Sequence, residues 1–283
     1  MSPQLTSESD LSWLGKPIDT RPLFESELVS LLDLLRALRP ADWDRAAVPG
    51  WTVRELAAHI LGDHQGRLGW TTSGYQPTFA PGETLEAFIH RVNQEWVDLH
   101  IDVDPASLIE ALERAGTQVA RQFDTADLET EGLGVSWAGA MPAPKWLDIA
   151  REFTEYWTHR QQIHHATGRD TDSEPRALSA VLDTFMRALP HTLRDDSATP
   201  GTQVQVVVDG PAGGIWTTTA TTNRWSMAEA PAGRPAASVA LNTETAWRLC
   251  TRGIEPDAAL NRTRIRGDHK LAQAVLQIVS IVY

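Results

Sequence analysis

The sequence of 283 residues predicts an α+β protein, with an N-terminal antiparallel four-helix bundle followed by a smaller α+β domain. Three observations predict it. Apolar residues recur at three- and four-residue spacing through most of the first 165 residues. Val- and Thr-rich runs of strand length follow near the C-terminus. Between the two, GRDTDSEP (168–175) interrupts the helical pattern, so the expected domains are 1–172 and 173–283.

The elements follow in order. TRPLFESELVSLLDLLRAL (20–38) reads as a helix capped by Thr20, with Pro22 in its first turn. TVRELAAHILGDHQGRLGW (52–70) opens on Thr52 with Glu55 three residues on, a reciprocal capping box. ETLEAFIHRVNQEWVDL (83–99) places Leu85, Phe88, Ile89, Val92, Trp96 and Leu99 on one face. DPASLIEALERAGTQVARQF (104–123) has Asp104 as cap and Pro105 at the first helical position. A Gly/Pro-rich loop (132–144) leads to a further helix that runs to about His165 and stops at Gly168. After a helix at 176–189 and a turn-rich break, QVQVVVDG and GIWTTTATT read as strands. AASVALN is another strand, TETAWRLCTRG a capped helix, NRTRIRG a strand, and DHKLAQAVLQIVS a helix starting at Asp268.

Composition narrows the function. A net charge of −12 and a pI near 5.2, with no lysine-rich run, argue against a nucleic-acid or anionic-membrane partner. No apolar run is long enough to span a bilayer, and MSPQLTSESDLSW lacks the features of a secretion signal, so the expected location is cytoplasmic. Cys250 is the single cysteine, which excludes an internal disulfide and leaves His, Asp or Glu to bind any transition metal. It lies in a helix with no evident base and reads as packing. The 11 tryptophans read as large core anchors. No G-x-S-x-G, P-loop or G-x-G-x-x-G follows a strand.

EFTEYWTHRQQIHH (152–165) carries the candidate chemistry. Glu155 and His159 are four residues apart on a helix and can reach one point, as metal ligands or as an ion pair. The densest apolar face, Trp146, Ile149, Phe153 and Trp157, lies nearly opposite, which favours a solvated pair unless another element covers them. On the 52–70 helix, His59, Asp63 and Arg67 form a line along the edge of the apolar stripe. His59 is either a satisfied core histidine or a ligand, and Asp63 and Arg67 either pair with each other or serve the site. Two histidines and one glutamate would leave an open coordination position, the pattern of catalytic zinc. His164 and His165 sit at another angle and read as surface or supporting groups. The dense arginines Arg248, Arg252, Arg262, Arg264 and Arg266 read as mostly solvated, with one or two able to meet a substrate carboxylate.

VPGWTVRELAAHILGD (48–63) resembles the N-terminal signature of mycothiol-dependent maleylpyruvate isomerase-like proteins, a group of DinB-like metal-binding bundles. WLDIAREFTEYWTHRQQIHHATGR (146–169) resembles their second signature, while ETAWRLCTRGIEP and RIRGDHKLAQAVL resemble a C-terminal sterol-carrier-like domain. The resemblance implies metal ligation by His59, Glu155 and His159, with a divalent metal, most commonly zinc. It further implies a low-molecular-weight thiol, mycothiol, that adds to a conjugated cis double bond, permits rotation and is eliminated. The expected activity is isomerisation or S-transfer on a small electrophile, by a monomer or homodimer that binds substrate and thiol but no nucleic acid or membrane. Alternatives are a metal-dependent hydrolase, since an open metal position also activates water, and a non-catalytic module for an apolar ligand.

Overall fold

Several helices begin where the chain supplies both a capping side chain and the extended backbone that lets it reach back. The computed structural model describes residues 10–70, 74–228 and 233–281. α1 spans Phe24–Arg36. β1 (Ala46–Val48) and β2 (Trp51–Thr52) form a short antiparallel ribbon that feeds α2 (Val53–Arg67). Thr52 is extended, its hydroxyl accepts from Glu55 N–H, and the Glu55 carboxylate accepts from Thr52 N–H at 2.7 Å, completing the capping box. α3 (Leu85–Leu99) is capped by Thr84, and α4 (Pro105–Asp124) by Asp104, with Pro105 leading. β3 (Glu131–Gly132) pairs with β4 (Ala143–Pro144), and α5 (Lys145–Ala166) follows. Gly168, at φ +74°, ends α5 in the left-handed conformation that glycine adopts without strain.

Two expectations need correction. Thr20 does not cap α1: its backbone is already helical (φ −94°, ψ −4°), so its hydroxyl makes no capping bond, and a 3₁₀ turn over Arg21–Leu23 precedes the helix. On α3 the buried residues are Val92, Trp96 and Val97, while Leu85 and Leu99 are exposed. The reason is that α3 meets α2 through its last two turns. Trp96 donates to Ala58 O at 2.9 Å and lies against Gly62, where a Cβ would come within 2.7 Å of the indole.

The chain forms two units. One comprises Asp19–Asp127 and Ile149–Leu178. Its core gathers Phe24, Leu31, Leu35, Leu56, Ile60, Leu108, Leu112, Phe153 and Trp157, with the Phe24 ring 4.9 Å from Phe123 and 5.5 Å from Phe153. A buried ion pair, Arg160 with Glu27, ties α5 to α1, and Arg160 also bonds Asp172 at 2.7 Å. Burial pushes the Glu27 carboxyl up, against the pull of Arg160.

The other unit comprises the described residues up to Ile18, Leu128–Asp148 and Ser179–Ile281. It takes in most of α6 (Pro175–Met186), then α7 (Leu189–Thr192), β5 (Gln203–Asp209), β6 (Gly214–Ala220), β7 (Trp225–Ser226), β8 (Ala237–Asn242), α8 (Thr243–Cys250), α9 (Pro256–Leu260), β9 (Arg264–Gly267) and α10 (His269–Val275). The sheet order is β7-β6-β5-β8-β9, with β5 and β8 parallel and the other pairs antiparallel. Alternating Val204, Val206 and Val208 on β5, with Val239 and Leu241 on β8, are buried. Asn242 caps α8 and Asp268 caps α10. Of the tryptophans, Trp43, Trp96, Trp137, Trp146, Trp157, Trp216, Trp225 and Trp247 are buried, in keeping with a core role. Among the described residues no helix is long and apolar enough to cross a membrane.

Two measurements check this reading. Thr52→Ala is expected to lower unfolding stability by about 1 kcal/mol in urea melts followed by helical circular dichroism. Cys250 is fully buried and burial pushes its thiol up to about 12, so native protein is expected to resist iodoacetamide at pH 8 and denatured protein to react fully.

Candidate metal centre

Two helix edges build the site. On α2, His59, Asp63 and Arg67 are one turn apart and share an edge. On α5, Glu152, Glu155 and His159 form the matching edge. Arg67 bonds Glu152 at one end, and His59 meets Glu155 and His159 at the other. From 59 to 67 the α2 edge rises about 12 Å, and from 159 to 152 the α5 edge falls about 10 Å. The two helices therefore run in opposite directions with their polar edges in register.

His59, Asp63, Glu155 and His159 each offer one ligand atom, and these atoms lie within 4.8 Å of one another. His159 Nε2 is 2.9 Å from Glu155 Oε1, while His59 Nε2 is 3.8 Å from the same oxygen and 3.5 Å from Asp63 Oδ2. On its far side His159 Nδ1 lies 2.7 Å from Gln162 Oε1. The His59 ring packs 4.9 Å from Trp51, whose indole N–H donates to Gln94. Side-chain exposure of 28% for Glu155 and 13% for His159 contradicts a solvated pair. The helical wheel misled because α5 is buried on nearly all sides, with Leu147, Ala150, Thr154, Thr158 and Gln161 covered as well. His59, itself backed by Trp51, packs against His159 and partly covers the edge that the wheel leaves open to water.

The electrostatics are crowded. Burial pushes the Asp63 carboxyl well up, and the charges of Glu155 and Glu152 add to it. Asp63 Oδ2 is buried and makes no hydrogen bond. Burial also opposes ionisation of Glu155, but His159 and His59 outweigh it and hold that carboxyl well below the usual range. Glu152 is similar: burial raises it, and Arg67 and Arg151 bring it down. Its carboxylate accepts from Arg67, from Arg151 at 2.9 Å and from the Tyr156 hydroxyl at 2.7 Å. Two imidazoles and two carboxylates at one point are a nitrogen and oxygen donor set that a divalent cation can neutralise.

The sequence left two features open. Asp63 joins the cluster, and Arg67 reaches across to Glu152 instead of pairing with Asp63. The four-residue spacing from His59 through Asp63 to Arg67 is the signal for both, but spacing alone does not name the partner. His164 and His165 turn away, bonding Asp170 O at 3.0 Å and Thr171 Oγ1 at 2.7 Å in the turn after α5. His64 is a core histidine against the Tyr156 ring, pushed down to about 4 by burial. Of the C-terminal arginines, Arg248 pairs with Glu244, Arg264 with Asp209, and Arg252 donates to Gln277 O.

Comparison with known proteins adds a family. Residues 24–164 match the family model described as mycothiol maleylpyruvate isomerase N-terminal domain. Two solved structures share the fold: a crystal structure of the mycothiol-dependent maleylpyruvate isomerase and one of a mutant of it. Each is 16% identical and covers 84% of this chain and 90% of that one, with TM-scores of 0.50 for the former and 0.51 for the mutant. Among curated proteins no relative matches.

The buried Glu152 is expected to matter far more than surface pairs do. Glu152→Ala leaves two guanidinium groups without their shared carboxylate and is expected to cost about 3 kcal/mol or more. Glu110→Ala, which removes an exposed pair with Arg114, should cost under about 0.5 kcal/mol. Urea denaturation in the presence of chelator checks both, and similar losses in the two variants would refute the assignment.

Proposed function

We propose, from the premise that residues 24–164 of this chain belong to the mycothiol maleylpyruvate isomerase N-terminal domain family, that His59, Glu155 and His159 hold a divalent metal and that the protein is a thiol-using enzyme. Our assignment is a metal-dependent isomerase or S-transferase acting on a small electrophile, with zinc as the metal and mycothiol as the thiol. The observation that carries it is the convergence of the donor atoms of two helices within 4.8 Å. The residues fit a metal on two further counts. Asp63 Oδ2 is a buried carboxylate oxygen without a hydrogen bond, a cost that a cation offsets. Gln162 Oε1 sits against His159 Nδ1, an acceptor of the kind that orients a metal-binding imidazole.

A divalent metal held there would lower the pKa of a thiol enough to make thiolate available near neutral pH. The chain's own residues supply the rest. Trp51 and Gln162 hold the two imidazoles in orientation. Asp63, 3.5 Å from His59 Nε2, is assigned as the group that takes the thiol proton. Arg67, Arg151 and Tyr156 hold Glu152 and with it the alignment of α2 and α5. The sterol-carrier-like character of residues 173–283 belongs to the same proposal and rests on the C-terminal sequence motifs.

Elemental mass spectrometry of untagged protein purified without chelator is expected to find about one zinc or similar ion per chain. His159→Ala should lose the metal while keeping its helical circular dichroism. Full occupancy in that variant would overturn the site. Asp63→Asn should keep the metal but lose thiol-dependent turnover, whereas loss of metal would make Asp63 a ligand. Turnover of cis-unsaturated acids should require added thiol, and thiol-independent ester or amide cleavage would point to hydrolysis.

A further inference from the structure

The α+β unit holds a cavity of about 890 Å³ that takes no part in the metal centre, and its polar groups are built with care. Pro17, Trp146, Ile215 and Met227 form apolar walls, with Asp183 and Arg187 among them. Asp183 lies in the last turn of α6 and Arg187 directly after its end, four residues on. Arg187 Nη2 donates to Asp183 Oδ1 and Oδ2, each at 2.9 Å, and Trp216 Nε1 donates to Oδ1 at 2.7 Å. Arg187 Nη1 donates to Leu14 O at 2.7 Å, and the guanidinium lies 5.7 Å over the Trp146 ring. Gly15 makes this approach possible: at φ +87°, a Cβ there would come within 2.4 Å of Arg187 Nη1.

The consequence is a division of labour between the two charges. Arg187 is 7% exposed, with Nη1 and Nη2 bonded and Nε buried without a partner, whereas Asp183 is 35% exposed although three donor contacts fix its orientation. Of this pair, the cavity therefore meets a fixed acceptor that has lone pairs to spare. Its charge is already balanced by Arg187, and the other two charges on the lining, Lys16 and Glu129, are of opposite sign. A carboxylate entering here would face Asp183. An ammonium would meet a carboxylate whose field is largely cancelled, with the cost of its own desolvation unrecovered. A cavity of this volume falls in the range of small-molecule sites, where apolar walls supply affinity and a few polar groups fix orientation.

From this we infer that the cavity is a binding site for a neutral, largely apolar alcohol whose hydroxyl donates to Asp183. The site does not depend on the metal reading and would stand if that reading failed.

The probe series is 2-phenylethanol, phenylacetate and 2-phenylethylammonium, alike in shape and differing in charge, titrated into the full-length protein by calorimetry and ligand-observed NMR. The alcohol is expected to bind saturably at one site per chain, with each ion at least ~10-fold weaker. Met227→Trp, which fills the cavity from one wall, should abolish binding. Ala228→Trp, at an exposed lining position, provides the same obstruction if the first variant does not fold. Metal content read on the same samples keeps this outcome separate from that of the metal centre. Absence of saturable alcohol binding, equal or tighter binding of either ion, or unchanged binding in a folded tryptophan variant would each overturn the inference.

Discussion

The bond between Arg67 and Glu152 is the constraint on which the helical unit's site depends. Both side chains are nearly fully buried, so neither charge has water to fall back on. Once α2 and α5 approach, only registers that bring these two groups together avoid stranding a charge in the core. With that register set, one helical turn further along each edge, Asp63 faces Glu155, and the next turn brings His59 to His159. The tolerance for sliding is small, because a shift of one residue moves each side chain by about 100° and about 1.5 Å along its helix. Arg151 and the Tyr156 hydroxyl complete the coordination of Glu152, so the clamp does not rest on one contact.

The same packing creates an electrostatic demand. Two carboxylates and two imidazoles are pressed into one half-buried point, and burial together with neighbouring negative charge holds the Asp63 carboxyl far above its ordinary value. A fold selected for stability alone would place apolar groups there. Buried polar groups that are imperfectly satisfied concentrate where function requires them. The α+β unit shows the opposite solution with Arg187 and Asp183, where every charge is balanced nearby and hydrogen bonds fix the carboxylate. One arrangement is a donor set that a cation could neutralise, and the other is a pair already neutral overall.

Local chemistry was the legible part of this chain. The caps at Thr52 and Asp104 are correct because a capping bond involves residues two or three apart, and the β5 and β8 strands are correct because alternation is a property of one strand. The errors share a cause. Thr20 has the right side chain for a cap but a helical backbone, and Leu85 and Leu99 lie on the right face of α3 but beyond the part that α2 covers. For α5, the wheel assumes one buried face, and a helix enclosed nearly all round has none to find.

By itself the sequence determined the α+β class, the position of the main helices and of the longer strands, the absence of a disulfide, and the resemblance that picked out His59, Glu155 and His159. The family match over residues 24–164 and the shared fold agree with that resemblance. Only the tertiary structure decided that Asp63 joins the three, that Arg67 belongs to Glu152, and that the edge carrying Glu155 is covered. The physical reason is range. Periodicity and capping act within a turn or two, while Arg67 and Glu152 are 85 residues apart and meet only after two helices have chosen which edges to bury together.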